Sequence, residues 1–317
     1  MTGQGESLPY RYAAFGHGLA STIPFPELRE APGSPVRWRF SATPALPEAL
    51  NERVIGREVI YAAVEARLSV HDGGHRIEVD DTGRFDIAND GRHIRWETRE
   101  SAWPDFVRAH LLGRVLATTL YLDGLLPLHA SAVAARDGVV AFLAPKGFGK
   151  SSLALAAVQV GARLVTDDTL PVMPGAPVQA WPGIQSLRVH DDVVHALRVD
   201  APGEGTREGK RVIASLDRGQ LVDAPEPLAA IYLLAPVADG DPAPVAYEAL
   251  PTPIAAMGIV SHVKIARMLG PAASATMLER AAAIARTVPV RLLHTPRDLT
   301  RLDDVALTVL RWHGGAP

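Results

Sequence analysis

The chain has 317 residues, of which 47% are hydrophobic, so it is long enough to bury a substantial core and to form two domains. Its formal net charge of −3 gives no excess of positive charge that would favour binding to nucleic acid or to an anionic membrane. The absence of cysteine excludes disulfides and thiolate metal sites. The N-terminal residues MTGQGESLPYRY contain no apolar signal segment, so we expect a cytoplasmic protein without a membrane or nucleic-acid partner.

The first hundred residues have the pattern of β-structure. Val36 to Phe40 alternates between apolar and polar side chains, and three later segments are separated by hairpin turn signals. These segments are Ala66 to Val70, Arg76 to Val79 and His93 to Glu97. We expect a mostly-β N-terminal domain over residues 1–103, built as a meander or a small sandwich. Its histidines lack the spacing of metal ligands, which favours surface or packing roles for His17, His71, His75 and His93.

A helix is predicted to follow this domain. Pro104 suits the first position of a helix, and apolar residues recur at helical spacing as far as Leu122. Gly124 is a suitable residue to end it. We therefore interpret residues 104–124 as a connecting helix and residues 125–317 as the second domain.

The second domain contains a strand, a glycine-rich turn and a helix in succession. Gly138 to Leu143 is a short apolar run typical of a buried strand, and Ser151 to Val160 is an Ala- and Leu-rich run typical of a helix. Between them, Ala144 to Ser151 (APKGFGKS) fits a phosphate-binding loop with Ala in place of the first Gly. Backbone N–H groups and the helix dipole point at one place in such a turn, so it binds anions.

Each residue type in this loop suits a nucleotide. Gly147 and Gly149 let the backbone wrap around phosphate oxygens, Lys150 reaches the β- and γ-phosphates, and the Ser151 hydroxyl is placed to bind Mg²⁺. The alternative is a chance match in a chain rich in Gly and Ala. We expect ATP and Mg²⁺ as cofactors. The predicted binding residues are Ala144, Pro145, Lys146, Gly147, Phe148, Gly149, Lys150, Ser151 and Ser152.

Two acids follow the next predicted strand. After Gly161 the chain returns through Ala-Arg-Leu-Val-Thr and ends on Asp167 and Asp168. A right-handed strand–helix–strand crossover brings both strand ends to the same edge of the sheet, so the acids arrive beside the phosphate loop. One carboxylate of the pair can hold Mg²⁺, and the other can accept a proton from an attacking hydroxyl. The alternative is a solvated Asp pair that opens a turn before Pro171.

The order of His129, Gly-Lys150-Ser151 and Gly-Ala-Arg-Leu-Val-Thr-Asp-Asp168 resembles the C-terminal catalytic domain of bacterial HPr kinase/phosphorylase and its relatives. The resemblance implies an α/β fold: a P-loop kinase core of the HPr kinase/PEP carboxykinase-like type, with a smaller mostly-β N-terminal domain. It also implies that Asp168 is the catalytic proton acceptor, assisted by His129, that Lys150 and Ser151 bind ATP and Mg²⁺, and that the acceptor is a protein serine. Asp167 is then the carboxylate left to hold Mg²⁺. Relatives in the family are often oligomeric, so a homo-oligomer is compatible with the resemblance.

One segment departs from the family pattern. The family has a Mg²⁺-binding Glu followed by Ile-Arg-Gly after the Asp pair, whereas this chain has Trp181 to Val189 (WPGIQSLRV), without a carboxylate before Asp191. This difference predicts a kinase without phosphorylase activity. Two other segments, Tyr12 to Leu28 and Val288 to Pro296, are similar to the HPr kinase-related proteins found beside peptide-modification genes, including lasso-peptide kinases.

The remaining C-terminal segments are assigned by pattern. Strands are predicted at Pro171 to Pro174, Ser186 to Val189, Leu228 to Leu234 and Val288 to Leu293, and helices at Ile254 to Leu269, Ala275 to Thr287 and Asp298 to Trp312. Pro202 to Arg211 is either a lid that closes Lys210 or Arg211 on phosphate, or a solvated loop. His262 and Arg267 either face the cleft or belong to a solvated helix stripe.

These residues favour an ATP- and Mg²⁺-dependent kinase acting on a hydroxyl, with a serine of a small protein or peptide as acceptor. A small-molecule hydroxyl kinase would use the same core residues. A non-catalytic, nucleotide-binding accessory protein is the alternative from another class, because Ala144 and the missing Glu segment both depart from a standard kinase.

Overall fold

The computed structural model describes residues 7–199, 209–213, 216–237 and 244–317. The chain divides into two compact units: Met1–Gly124 with Ile265–Ala275, and Leu125–Lys264 with Thr276–Pro317. The sequence assigned all of residues 125–317 to one domain, whereas the structure places Ile265–Ala275 with the first unit. The predicted connecting helix also lies within the first unit.

The first unit contains an eight-stranded sheet. Its strands are β1 (Tyr10–Ala14), β2 (His17–Ser21), β3 (Val36–Thr43), β4 (Arg53–Tyr61), β5 (Val64–His71), β6 (Gly74–Val79), β7 (Gly83–Ala88) and β8 (His93–Glu97), in the spatial order β1-β2-β3-β8-β7-β6-β5-β4. Strands β4 to β8 form an antiparallel meander, of which the sequence predicted β5, β6 and β8, while β3 pairs in parallel with both β2 and β8. The sequence pattern did not predict β1, β2, β4 or β7. No residue of β4 is buried, so β4 lacks the alternation of a half-buried strand.

A single helical segment follows β8, as expected. It consists of α1 (Pro104–His110), a π-helical turn (Leu111–Val115) and α2 (Leu116–Leu122). Its apolar face is buried, including Val107, Leu111 and Leu116. Gly124 has a φ of +97°, the left-handed conformation that commonly ends a helix.

The second unit is mixed α/β. Its strands are β9 (Leu126–Leu128), β10 (Ala130–Ala135), β11 (Gly138–Leu143), β12 (Arg163–Thr166), β13 (Leu170–Met173), β14 (Gln179–Ala180), β15 (Leu187–His190), β16 (Lys210–Ile213), β17 (Glu226–Pro236), β18 (Ala246–Ala249) and β19 (Val290–Thr295). The five central strands lie in the order β12-β10-β11-β17-β19, and β15 and β16 form a separate two-stranded ribbon.

Strand direction determines where the site lies. Strand β10 is antiparallel to β11 and to β12, so β11 and β12 run in the same direction. Strands β17 and β19 are parallel to β11. The ends of β11, β12, β17 and β19 and the start of β10 therefore share one edge of the sheet, which we call the carboxyl edge.

The helices of this part of the chain are α3 (Lys150–Gln159), α4 (Asp191–Ala196), α5 (Thr252–Ser261), α6 (Ala266–Leu269), α7 (Ser274–Ala285) and α8 (Leu302–Arg311). The prediction of one helix from Ile254 to Leu269 is wrong. The chain leaves α5 after Ser261, Val263 forms a bridge with Leu128, and the Lys264 N–H donates to the Pro127 carbonyl. These backbone hydrogen bonds to β9 compete with helical ones. Within the described ranges, no helix has the length and apolar character needed to cross a membrane.

Candidate functional site

The glycine-rich loop joins β11 to α3 at the carboxyl edge. Gly147 and Gly149 have φ values of +88° and +85°, whereas Ala144 is not among the residues with positive φ. A Cβ atom at either glycine would meet nothing within 4 Å, so backbone conformation rather than close packing requires glycine there. The loop therefore accepts Ala at its first position, as the sequence analysis assumed.

Lys150 is the first residue of α3 and is only 7% exposed. Its ammonium donates to the Ala144 carbonyl at 2.7 Å and to the Pro145 carbonyl at 3.1 Å. Burial lowers the pKa of Lys150 to about 8, against the opposing effect of the carboxylates of Asp167 and Asp168. Lys150 thus carries a buried charge that helps to hold the loop.

Asp167 follows β12 directly and is 4% exposed. Its Oδ1 accepts hydrogen bonds from the Ser131 hydroxyl at 2.5 Å and from the Ser151 hydroxyl at 2.8 Å, and its Oδ2 accepts from the Arg188 N–H at 3.2 Å. Burial raises the pKa of Asp167, and the bonds from Ser131 and Ser151 oppose that rise.

These oxygens suit a magnesium ion. The Ser151 hydroxyl and the Asp167 carboxylate are hard oxygen ligands, and they lie 2.8 Å apart beside the loop. No group of three or more His, Cys, Asp or Glu residues that could hold a metal occurs in the part of the chain that the structure describes. Mg²⁺ in phosphoryl-transfer sites is held by one or two carboxylates together with substrate phosphates, so the small donor set fits that use.

Asp168 has a different environment. It has a φ of +83°, and its side chain is 49% exposed. The Nδ1 of His129 lies 3.3 Å from Oδ1 of Asp168, and the Lys264 ammonium forms an ion pair with Oδ2. Although burial acts to raise it, Lys264 and His129 hold the pKa of Asp168 well below its usual range. Asp168 is therefore an ionised, partly exposed carboxylate beside a buried one.

The segment from Trp181 to Val189 lies against the end of β12. The Gly183 N–H donates to the Val165 carbonyl, and the Asp167 N–H donates to the Ile184 carbonyl. A Cβ atom on Gly183 would come within 2.0 Å of the Thr166 hydroxyl oxygen, so only glycine fits this approach. The segment supplies backbone groups to Asp167 and contains no carboxylate.

Three groups of the site were missed by the sequence analysis: the Ser131 hydroxyl, the Lys264 ammonium and the Arg188 N–H. Ser131 is two residues from His129, but the chain bends at residue 129 between β9 and β10, so no regular strand period relates the two side chains. Lys264 lies 96 residues from Asp168, and no local pattern marks it.

The remaining candidate residues from the sequence lie in several different places. His262 accepts the His129 N–H through its carbonyl at 2.7 Å, whereas Arg267 belongs to the first unit. Arg211 pairs with Asp191 at 2.7 Å, and the Lys210 charge acts to lower the pKa of Lys150. Residues 202–208 of the predicted lid lie outside the described residues. Within the loop, Pro145 and Lys146 are exposed and Ser152 is half-buried.

Similarity to known proteins is found among solved structures. No protein-family model matches the chain. No curated protein matches it either. Among solved structures, the Hpr(Ser) kinase/phosphatase from Coxiella burnetii is similar at 15% sequence identity and a TM-score of 0.32, over 59% of this chain and 96% of that chain.

Proposed function

We propose that this protein is an ATP- and Mg²⁺-dependent kinase that transfers the γ-phosphoryl group to a hydroxyl, with a serine of a small protein or peptide as the acceptor. One observation carries the proposal. A hydroxyl at the start of α3, Ser151, contacts the buried carboxylate of Asp167, and the ionised Asp168 follows directly. A loop for phosphate, oxygens for Mg²⁺ and a carboxylate for the acceptor proton are the parts that phosphoryl transfer needs.

The loop and the buried carboxylate hold the nucleotide in this proposal. Mg-ATP supplies the activated phosphoryl group and part of the charge neutralisation when bound. The backbone N–H groups around Gly147 and Gly149 and the Lys150 ammonium donate to phosphate oxygens, for which Lys150 turns from its two loop carbonyls. Ser151 and Asp167 hold the metal, and Ser131 orients Asp167 through its 2.5 Å hydrogen bond.

Asp168 orients the acceptor hydroxyl and takes its proton. Its low pKa makes it a weak base, but the transition state of phosphoryl transfer is loose, so orientation of the nucleophile contributes more than early proton removal. His129 and Lys264 contact both the carboxylate and the main-chain carbonyl of Asp168, and so fix its direction. The serine acceptor is proposed from the family resemblance in the sequence.

The test is transfer of label from γ-labelled ATP, with Mg²⁺, to a pool of serine-containing peptides and, separately, to small alcohols. We expect labelled serine with the wild-type protein and with the control Asp303→Asn, which alters an exposed acid of α8. Asp168→Asn should lose the label. Transfer only to small alcohols would assign a small-molecule kinase, and nucleotide binding without transfer to any acceptor would assign an accessory protein.

A further inference from the structure

Arg297 lies over the phosphate loop. It follows the end of β19 by two residues and is exposed, and its guanidinium carbon is 5.8 Å from the centre of the Phe148 ring. Phe148 stands between Gly147 and Gly149 in the loop. Because β19 and β17 run parallel to β11, the segment that carries Arg297 emerges at the same carboxyl edge as the loop.

Arg297 and the acids lie on opposite sides of the loop. The spatial order β12-β10-β11-β17-β19 puts Asp167, Asp168 and His129 on the side of β10 and β12. Arg297 comes from β19, two strands away from β11 in the other direction. The loop thus separates a carboxylate side from an arginine side.

This arrangement sets the direction of a bound nucleotide, if the proposed function is correct. The γ-phosphoryl group must face Asp168 to reach an acceptor hydroxyl there. The nucleoside is at the opposite end of the triphosphate, so it must leave the loop toward β17 and β19. Arg297 and Phe148 are on that side.

We infer that Arg297 binds the nucleobase of the nucleotide by stacking, with its guanidinium between the base and the Phe148 ring. A guanidinium plane stacks on aromatic rings and on nucleobases, so it can contact both at once. Neighbouring contacts hold the segment that carries Arg297 in place. Phe148 and Leu299 pack against the same buried core, and Asp298 accepts the Thr300 N–H at 2.8 Å, which holds the turn that carries Arg297.

The test distinguishes binding to the nucleobase from binding to the phosphates. Calorimetry with Mg²⁺ compares ATP with inorganic tripolyphosphate, which lacks the nucleoside. We expect Arg297→Ala to weaken ATP binding about tenfold, since base stacking of this kind is of that order, and to leave tripolyphosphate binding unchanged within about twofold. Arg297→Lys keeps the charge but not the plane, so it should behave like Arg297→Ala.

The matched control is Arg301→Ala, which removes an arginine from the next turn, where it pairs with Asp304 at 3.7 Å. It should bind both ligands like the wild type. An equal loss of ATP and tripolyphosphate in Arg297→Ala would assign Arg297 to the phosphates and overturn the inference, as would an unchanged ATP affinity. A wild-type protein that binds neither ligand would overturn the nucleotide site itself, which distinguishes the two failures.

Discussion

The Ser151 hydroxyl and the Ser131 hydroxyl both donate to the same oxygen, Oδ1 of Asp167, at 2.8 and 2.5 Å. Ser151 belongs to α3, Ser131 to β10, and Asp167 follows β12. One buried carboxylate oxygen therefore joins three elements at the carboxyl edge. A position held by three elements is a rigid one, which suits the metal-binding role proposed for Asp167.

The pKa of Lys150 predicts how nucleotide binding depends on pH. Its folded-state pKa of about 8 is below the ordinary 10.5, so the charged form is the costly one in the folded protein. As the pH rises through 8 the ammonium is lost, so ATP affinity should fall while the free energy of unfolding rises. Calorimetry from about pH 6.5 to about pH 9.5 measures the affinity. Lys150→Met should bind about 100-fold more weakly and without this dependence, and a wild-type affinity that stays constant to the upper pH would contradict the assignment.

Lys150→Met is a better variant than Lys150→Ala. The Lys150 side chain is buried and donates to two loop carbonyls, so alanine would remove packing as well as charge. Methionine keeps most of the apolar volume. Thermal melting of both variants should show the alanine variant as the less stable.

Asp168→Asn should retain ATP binding within about threefold and lower kcat by about 10² to 10⁴, because the amide keeps the shape but does not accept the proton. The measurement is single-turnover phosphoryl transfer beside calorimetric ATP binding. Equal transfer rates for Asp168→Asn and the wild type would remove Asp168 from the mechanism.

Asp167→Asn should show the opposite phenotype. We expect about a tenfold higher Mg²⁺ requirement, since a metal-binding carboxylate becomes an amide. Magnesium titrations at fixed ATP give the requirement. If Asp167→Asn transfers slowly at normal Mg²⁺ affinity, the roles of the two acids are exchanged.

Lys264→Met should shift the acid limb of the pH–rate profile. Lys264 holds the pKa of Asp168 well below the ordinary 3.8, so wild-type Asp168 stays ionised across the usual assay range. Without the ammonium this pKa rises, and the rate should fall at a higher pH than in the wild type. The double variant Lys264→Met with Asp168→Asn should lack the new limb. A limb that persists in the double variant would belong to another group.

The reaction should run in one direction only. Attack of inorganic phosphate on a phosphoserine places another anion near Mg²⁺, and Trp181 to Val189 adds the Arg188 N–H to Asp167 but no carboxylate to the metal. Phosphorylated acceptor with millimolar phosphate should release little pyrophosphate. Pyrophosphate formed at a rate comparable to forward transfer would contradict this prediction.

Local sequence patterns determined much of this site. Six apolar residues before the glycine-rich turn predicted β11, the Ala- and Leu-rich run after it predicted α3, and both form. The return through Leu164 and Val165 predicted a strand that ends beside the loop, and the structure places Asp167 in contact with Ser151. These steps depend on neighbours in sequence, where backbone periodicity and crossover handedness are sufficient.

Only the tertiary structure showed which groups shift the pKa values of Asp167 and Asp168. It also showed how the chain divides into two units. Lys264 reaches Asp168 because backbone hydrogen bonds of residues 263 and 264 to β9 interrupt a helix that the sequence predicted to continue. The same interruption precedes Ile265–Ala275, which belong to the first unit. Arg297 reaches Phe148 only through the parallel order of β11, β17 and β19. Such contacts join residues that are far apart in the chain. Local periodicity does not specify which distant backbone groups or side chains will form hydrogen bonds or contacts with a given residue.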